Sequence, residues 1–173
     1  MYALRPLVTI CAFAILLGAA PSSARTRGNA GRGATAIPAA DACSLLSLAQ
    51  VSAALEVTSL AGRHPAPSVT SSCIWSDDAN ASASNRRVTL SLVSQRTFDF
   101  GKSMPRAKIT PAPGIGDDAY YEQFGSDSPS LVARKGSAAI SIRVLNGLKF
   151  KPFTLDQEKS REATLAQAAL ALL

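Results

Sequence analysis

The chain has 173 residues, 47% of them hydrophobic, with 18 Lys and Arg against 12 Asp and Glu. Four of the basic residues, Arg5, Arg25, Arg27 and Arg32, precede Asp41; from there on 14 basic residues face 12 acidic ones, so the nominal charge of +6 does not describe a basic domain. That near-neutrality argues against a nucleic-acid-binding domain, and the absence of any fixed repeat disfavours solenoids and propellers.

Met1 to Arg5 carries one positive charge, and Leu7 to Ala20 is an uncharged run rich in Leu, Ile, Ala and Phe, followed by Pro21 and the small residues Ser22, Ser23 and Ala24. This order predicts a cleavable signal peptide over residues 1–24. The run has 14 residues, short of the roughly 20 that a helix needs to cross a bilayer. Cleavage after Ala24 places Ser22 and Ala24 at the positions that must be small, and cleavage after Ala20 also fits. Cys11 falls inside the run; Val8-Thr9-Ile10 before it lack the small residues of a lipid-attachment box, so Cys11 is expected to leave with the signal. Residues 25–40, with three Arg, three Gly and little apolar periodicity, predict a flexible basic linker.

Residues 41–173 are expected to form a single domain. Cys43 and Cys73 are an even pair in a chain marked for export, which predicts a disulfide. Closing a loop of about 30 residues would stabilise the fold by roughly 3.5 kcal/mol on the chain-entropy model. A redox pair or metal site is set aside, because the cysteines lack C-x-x-C spacing and have no histidine beside them in sequence.

Ser47-Leu48-Ala49-Gln50 forms a capping box, with Leu46 and Val51 as a hydrophobic staple, and predicts a helix over 48–56 whose Leu48, Val51 and Leu55 share a face. Ser71 to Ser76 predicts a strand, and Arg87 to Val93 a second one, with Val88, Leu90 and Leu92 on one face. Thr97 to Met104 is read as a short helix and the Pro105 to Gly116 stretch as a proline-rich loop. Ala119 to Phe124 predicts a strand; Ser130 to Arg134 and Ala138 to Val144 predict a hairpin closed at Lys135-Gly136-Ser137. Thr154-Leu155-Asp156-Gln157 is a second capping box, opening a helix with Ala163, Ala166, Leu170 and Leu173 on its apolar side. The fold class is therefore α+β: an antiparallel sheet of about five strands with an N-terminal and a C-terminal helix packed on one face.

Gly114-Ile115-Gly116-Asp117-Asp118-Ala119 matches the G-x-G-x-x-A dinucleotide pattern, but a proline-rich loop precedes it, a strand follows, and its two carboxylates repel phosphate. Its glycines are expected to make a tight turn into the strand. A hard-cation site from Asp117, Asp118 and Asp77 or Asp78 lacks EF-hand spacing. His64 is the single histidine, too few for a typical zinc site, and no G-x-S-x-G elbow presents a nucleophile. No cofactor is expected. Alternation sends Tyr120 and Tyr121 to opposite faces, one core and one exposed, so Asp117, Asp118 and Tyr121 are the candidate ligand or partner surface. Asn80-Ala81-Ser82 matches a glycosylation acceptor.

Taken together, Asp41-Ala42-Cys43-Ser44-Leu45-Leu46, the Val51 to Leu55 helix, Cys73-Ile74-Trp75, Gly114 to Ala119 and Arg134-Lys135-Gly136 resemble a group of small exported bacterial proteins of unknown function, related in pattern to actinobacterial secreted lipoproteins. The resemblance covers most of Asp41 to Leu173. It implies a periplasmic or surface α+β domain with a cysteine bridge and no assigned activity; the lipid-attachment cysteine of the lipoprotein members is missing here. The expectation is thus an exported envelope protein, periplasmic or secreted, that binds an envelope protein or small ligand without catalysis. It carries no stable membrane span after cleavage and takes no nucleic acid. The competing expectation is an envelope hydrolase or metal-dependent enzyme using His64 or the Asp117/Asp118 loop.

Overall fold

The structure, a computed structural model, describes residues 40–80 and 85–173. The signal peptide and all but Ala40 of the linker lie outside the described residues, as do Ala81 and Ser82 of the glycosylation acceptor. A short 3₁₀ turn, Ala42–Ser44, leads into helix α1, Leu48–Leu55; then come strands β1, Ser72–Ser76, and β2, Arg87–Val93; helix α2, Gln95–Lys102; strands β3, Ala107–Pro111, β4, Asp118–Phe124, β5, Ser130–Lys135, and β6, Ala138–Leu145; and helix α3, Leu155–Leu170. The strands form one antiparallel sheet in the order β1-β2-β6-β5-β4-β3. No helix among the described residues is long and apolar enough to cross a membrane.

Both capping boxes form: the Ser47 and Thr154 hydroxyls accept from the Gln50 and Gln157 amides, and each Gln side chain accepts from its cap's backbone N–H. Alternation then sorts the sheet into two faces. Val88, Leu90 and Leu92 of β2, Leu131 and Ala133 of β5, and Ile140, Ile142 and Val144 of β6 point to one side and are covered by α1 and α3. Each of the Val, Leu and Ile side chains among them is worth about 1.5–3 kcal/mol on burial. The Cys43–Cys73 disulfide, with Cα atoms 5.0 Å apart, pins the segment before α1 to β1.

Three differences from the sequence reading have physical causes. The sheet has a sixth strand, β3, inside the stretch expected to be a loop. It is a half-buried edge strand ending at Pro111, a place where a missing N–H is tolerated, so its alternation is weak. Helix α2 starts two residues earlier than expected because the Ser94 hydroxyl accepts from Thr97 N and caps it. It lies on the face opposite α1 and α3, where Phe98 packs with Tyr120, Val132 and Ala139. On α3 the buried stripe is Leu165, Ala166, Ala169 and Leu170 together with Glu158 and Glu162. Glu162, fully buried, accepts the Val144 amide of β6 at 2.9 Å.

One buried cation joins separate segments. Arg86 donates to the carbonyls of Leu55 and Lys151 and to Asn146 Oδ1, while its guanidinium stacks on Phe150 and Phe153. A guanidinium bonded through all three of its nitrogens in this way fixes the end of α1 against the loop between β6 and α3.

Candidate functional site

Helix α2 contacts β4, β5 and β6, and beyond it a trough of about 370 Å³ runs over the opposite sheet face, lined by β1, β2, β5 and β6. Pairing register sets what lines this face. One row runs Ser72, Ser91, Ser141, Val132, Tyr120; the next holds Ile74, Thr89 and Arg143, with Glu122 opposite Ser130 on the far strands. Arg87 is opposite Leu145 and therefore diagonal to Arg143, close enough for long side chains to share a ligand. The trough is walled by Arg87 and Arg143 and floored by Thr89, Ser91, Ser130 and Ser141. The hydroxyls of Ser72 and Ser91 hold each other at 2.8 Å.

Arg143 is held from behind: its Nη2 donates to Ser128 O at 2.8 Å, and Asp127 lies 3.9 Å away. Ser141 also lines a second, mostly apolar trough of about 290 Å³ formed by Val93, Phe100, Met104, Tyr120, Phe124 and Val132 at the edge of α2. Phe100 and Phe124 are exposed there. Glu122 lines this second trough; burial holds its carboxyl above the usual range against the opposing pull of Arg143. The two troughs share Ser141 in their lining: one is mostly apolar with Glu122 in its wall, and the other is lined by hydroxyls and two arginines. Such a surface can orient a small ligand by a few polar contacts.

The residues singled out from the sequence lie elsewhere; the groove lining includes none of Asp117, Asp118, Tyr121 or His64. Asp117 accepts the Gly136 amide at 2.6 Å, tying the β3–β4 turn to the β5–β6 hairpin. Asp118 pairs with Lys102 and lies 3.9 Å from Arg134. Asp77 faces Lys149, and Asp78 accepts the Asn80 amide, so these aspartates are engaged separately. Gly114 and Gly116 have φ of 84° and 60°. A Cβ on Gly116 would sit 2.2 Å from Arg134 O, which accounts for that glycine by close approach in a turn. Tyr120 and Tyr121 do take opposite faces, but helices cover both. Tyr120 is buried against Phe98 and donates to its carbonyl; Tyr121 donates to Lys159 O, and burial raises its hydroxyl to about 12.

One arrangement is invisible in sequence. His64, 21 residues from Cys43, comes beside the disulfide: Nδ1 is 2.8 Å from Ser72 O and 3.7 Å from Cys43 Sγ, and Nε2 is 3.4 Å from Asp41 Oδ1. The bridge between Arg63 and Ile74 brings this loop to the edge of β1. Neither the groove's arginines nor this histidine forms a short motif; register and a loop crossing assemble them. Set against protein-family models, curated proteins and solved structures, the chain matches none of them.

Proposed function

We propose that this is an exported bacterial envelope protein, periplasmic or secreted, that acts by binding rather than catalysis, and that its ligand is a small amphipathic anion held in the groove on the open sheet face. The observation that carries the reading is that an apolar trough and one lined by two diagonally placed arginines share Ser141 in their lining. The apolar part of the ligand lies against Phe100, Phe124 and Met104; its carboxylate or phosphate takes charge-assisted hydrogen bonds from Arg143 and Arg87. The signal-like leader and the likeness to small exported bacterial proteins support the compartment.

The test compares octanoate, octyl phosphate and octanol, below their aggregation concentrations, by titration calorimetry on the processed domain. Octanoate or octyl phosphate is expected to bind about tenfold or more tightly than octanol, as one charged hydrogen bond implies. Arg143→Gln is expected to abolish that preference, and Phe100→Ala to weaken all three. Equal binding of anion and alcohol, or a preference that survives in Arg143→Gln, overturns the ligand class. No heat with any of the three overturns the groove. Intact mass of protein recovered from the periplasm tests the compartment independently: loss of residues 1–24, or of 1–20, is expected, and an unprocessed chain refutes it.

A further inference from the structure

The neighbourhood of the disulfide is built like a metal site with one step missing. Asp41, Cys43 and His64 each offer a ligand atom, and these atoms lie within 4.8 Å of one another. Cys73 Sγ is bonded to Cys43 Sγ but stands outside that three-atom cluster in the oxidised protein, so it could join as a fourth ligand only after reduction frees it. The Asp41 Oδ1 and His64 Nε2 separation of 3.4 Å is what two tetrahedral zinc ligands with bonds of about 2.1 Å require. His64 Nδ1 faces the Ser72 carbonyl at 2.8 Å. When Nδ1 carries the proton it donates to that carbonyl and leaves Nε2 bare and aimed at Asp41. Metal-binding histidines are oriented in this way by a hydrogen bond from the other ring nitrogen.

Asp41 is itself fixed, because its Oδ1 also accepts the Cys43 amide at 2.7 Å. Access is open on one side: Asp41 is exposed and Cys43 and His64 are partly so, while Cys73 forms the buried floor against Gly62 and Trp75. In the oxidised protein the sulfurs are neutral and tied to each other, which leaves only two charged or basic ligands.

We propose that the reduced protein binds one Zn²⁺ through Asp41 Oδ1, His64 Nε2 and the thiolates of Cys43 and Cys73, so that the disulfide and the metal are alternative occupants of one site. A dithiol passes two electrons and two protons to the bridge, leaving as its own disulfide; zinc then displaces the two thiol protons into solvent. The sulfurs must part to about 3.8 Å, the separation of two thiolates on one zinc. Because only the reduced form binds tightly, bound zinc in turn opposes oxidation of the pair, by linkage. This site is separate from the groove on the open sheet face, and its test stands apart from that of the proposed function.

The experiment uses the processed protein reduced with a water-soluble phosphine, which ends as its oxide, water supplying the oxygen and the thiol protons. Co²⁺ is titrated as a spectroscopic probe, and Zn²⁺ is titrated against a chromophoric chelator. One equivalent of Co²⁺ is expected to give thiolate-to-cobalt charge-transfer absorption, bleached by one equivalent of Zn²⁺, with no signal from the oxidised protein. His64→Gln is expected to weaken Zn²⁺ binding more than the roughly 10–100-fold that follows loss of a group merely supporting a ligand. Asp41→Asn is expected to weaken it less.

Zinc binding that is unchanged in His64→Gln, or equal in oxidised protein, overturns the proposal. Trp75 emission reports whether the reduced, metal-free domain stays folded. If it does, absence of the cobalt signal overturns the site; if it does not, zinc must restore the buried-tryptophan emission, and failure to do so overturns it equally.

Discussion

Glu162 gives the sharpest test of the core. Its side chain is fully buried on α3, Oε1 accepts the Val144 amide, and Oε2 has no hydrogen-bond partner among the described residues. Burial pushes its pKa up to about 8, with the charge of Glu158 adding to the effect, while the Val144 N–H and the cations Arg143 and Lys159 oppose it. In the unfolded chain the same group titrates near 4.5. Between those limits the folded protein holds a proton that the unfolded one releases, so stability falls as pH rises through the window and levels off above it.

The slope is at most about 1.4 kcal/mol per pH unit for one proton, so roughly 3 kcal/mol is lost between pH 5.5 and 7.5. Glu162→Gln keeps the acceptor for Val144 and removes the ionisation. The substitution should therefore be nearly neutral near pH 5 and stabilising by a few kcal/mol at pH 8. Urea unfolding of both proteins across pH 5 to 9 reads this directly, because every other titrating group is common to the two. Parallel curves, or a variant that loses stability equally at all pH values, refute the argument that a proton resides on Glu162.

Three further outcomes follow from named contacts. Replacing Cys43 and Cys73 together with Ala should lower unfolding stability by roughly 3.5 kcal/mol, and a urea midpoint that does not move would show that the loop is constrained by other means. Gly62→Ala places a Cβ 2.5 Å from Trp75 Nε1 and 2.7 Å from Cys73 Sγ; overpacking of this kind costs about 1–3 kcal/mol, and tryptophan emission and thermal midpoint should shift together. Tyr121→Phe removes the hydrogen bond to Lys159 O, so it should cost about 1 kcal/mol of stability and leave octanoate binding in the groove unchanged; a change in that binding without one in stability would return Tyr121 to the ligand surface.

The sequence read well wherever a pattern was local. Two capping boxes, the β2 alternation and the β5–β6 hairpin all depend on residues within a few positions of one another, and each formed. Edge strand β3 leaves little trace in the sequence because an edge needs little hydrophobic alternation and its Pro111 reads as a breaker. Along α3 and just beyond it, Ala163, Ala166, Leu170 and Leu173 all meet the core as their spacing predicts, but buried Glu162 is invisible to periodicity because it counts as polar, whereas in the folded chain it is the acceptor for a β6 amide. Asp117 and Asp118 stood out by adjacency yet serve a turn and an ion pair. Arg87 and Arg143, and likewise His64 and Cys43, are joined only by strand register and a loop crossing, and no window along the chain contains them together.

The pairing of β2 with β6 also orders events in time. Strand β2 has β1 on one side, joined by local chain, but its other partner is made much later: Arg87 pairs with Leu145 and Val93 with Ala139. A chain emerging from its N-terminus can join Cys43 to Cys73 and close the β1–β2 hairpin first. The apolar side of β2 then waits, with one edge unpaired, until β6 and α3 arrive. Non-local closure of this kind slows folding, so the last thirty-odd residues act as a kinetic latch: until they are present the sheet has no centre and the Val88–Leu90–Leu92 surface of β2 stays uncovered.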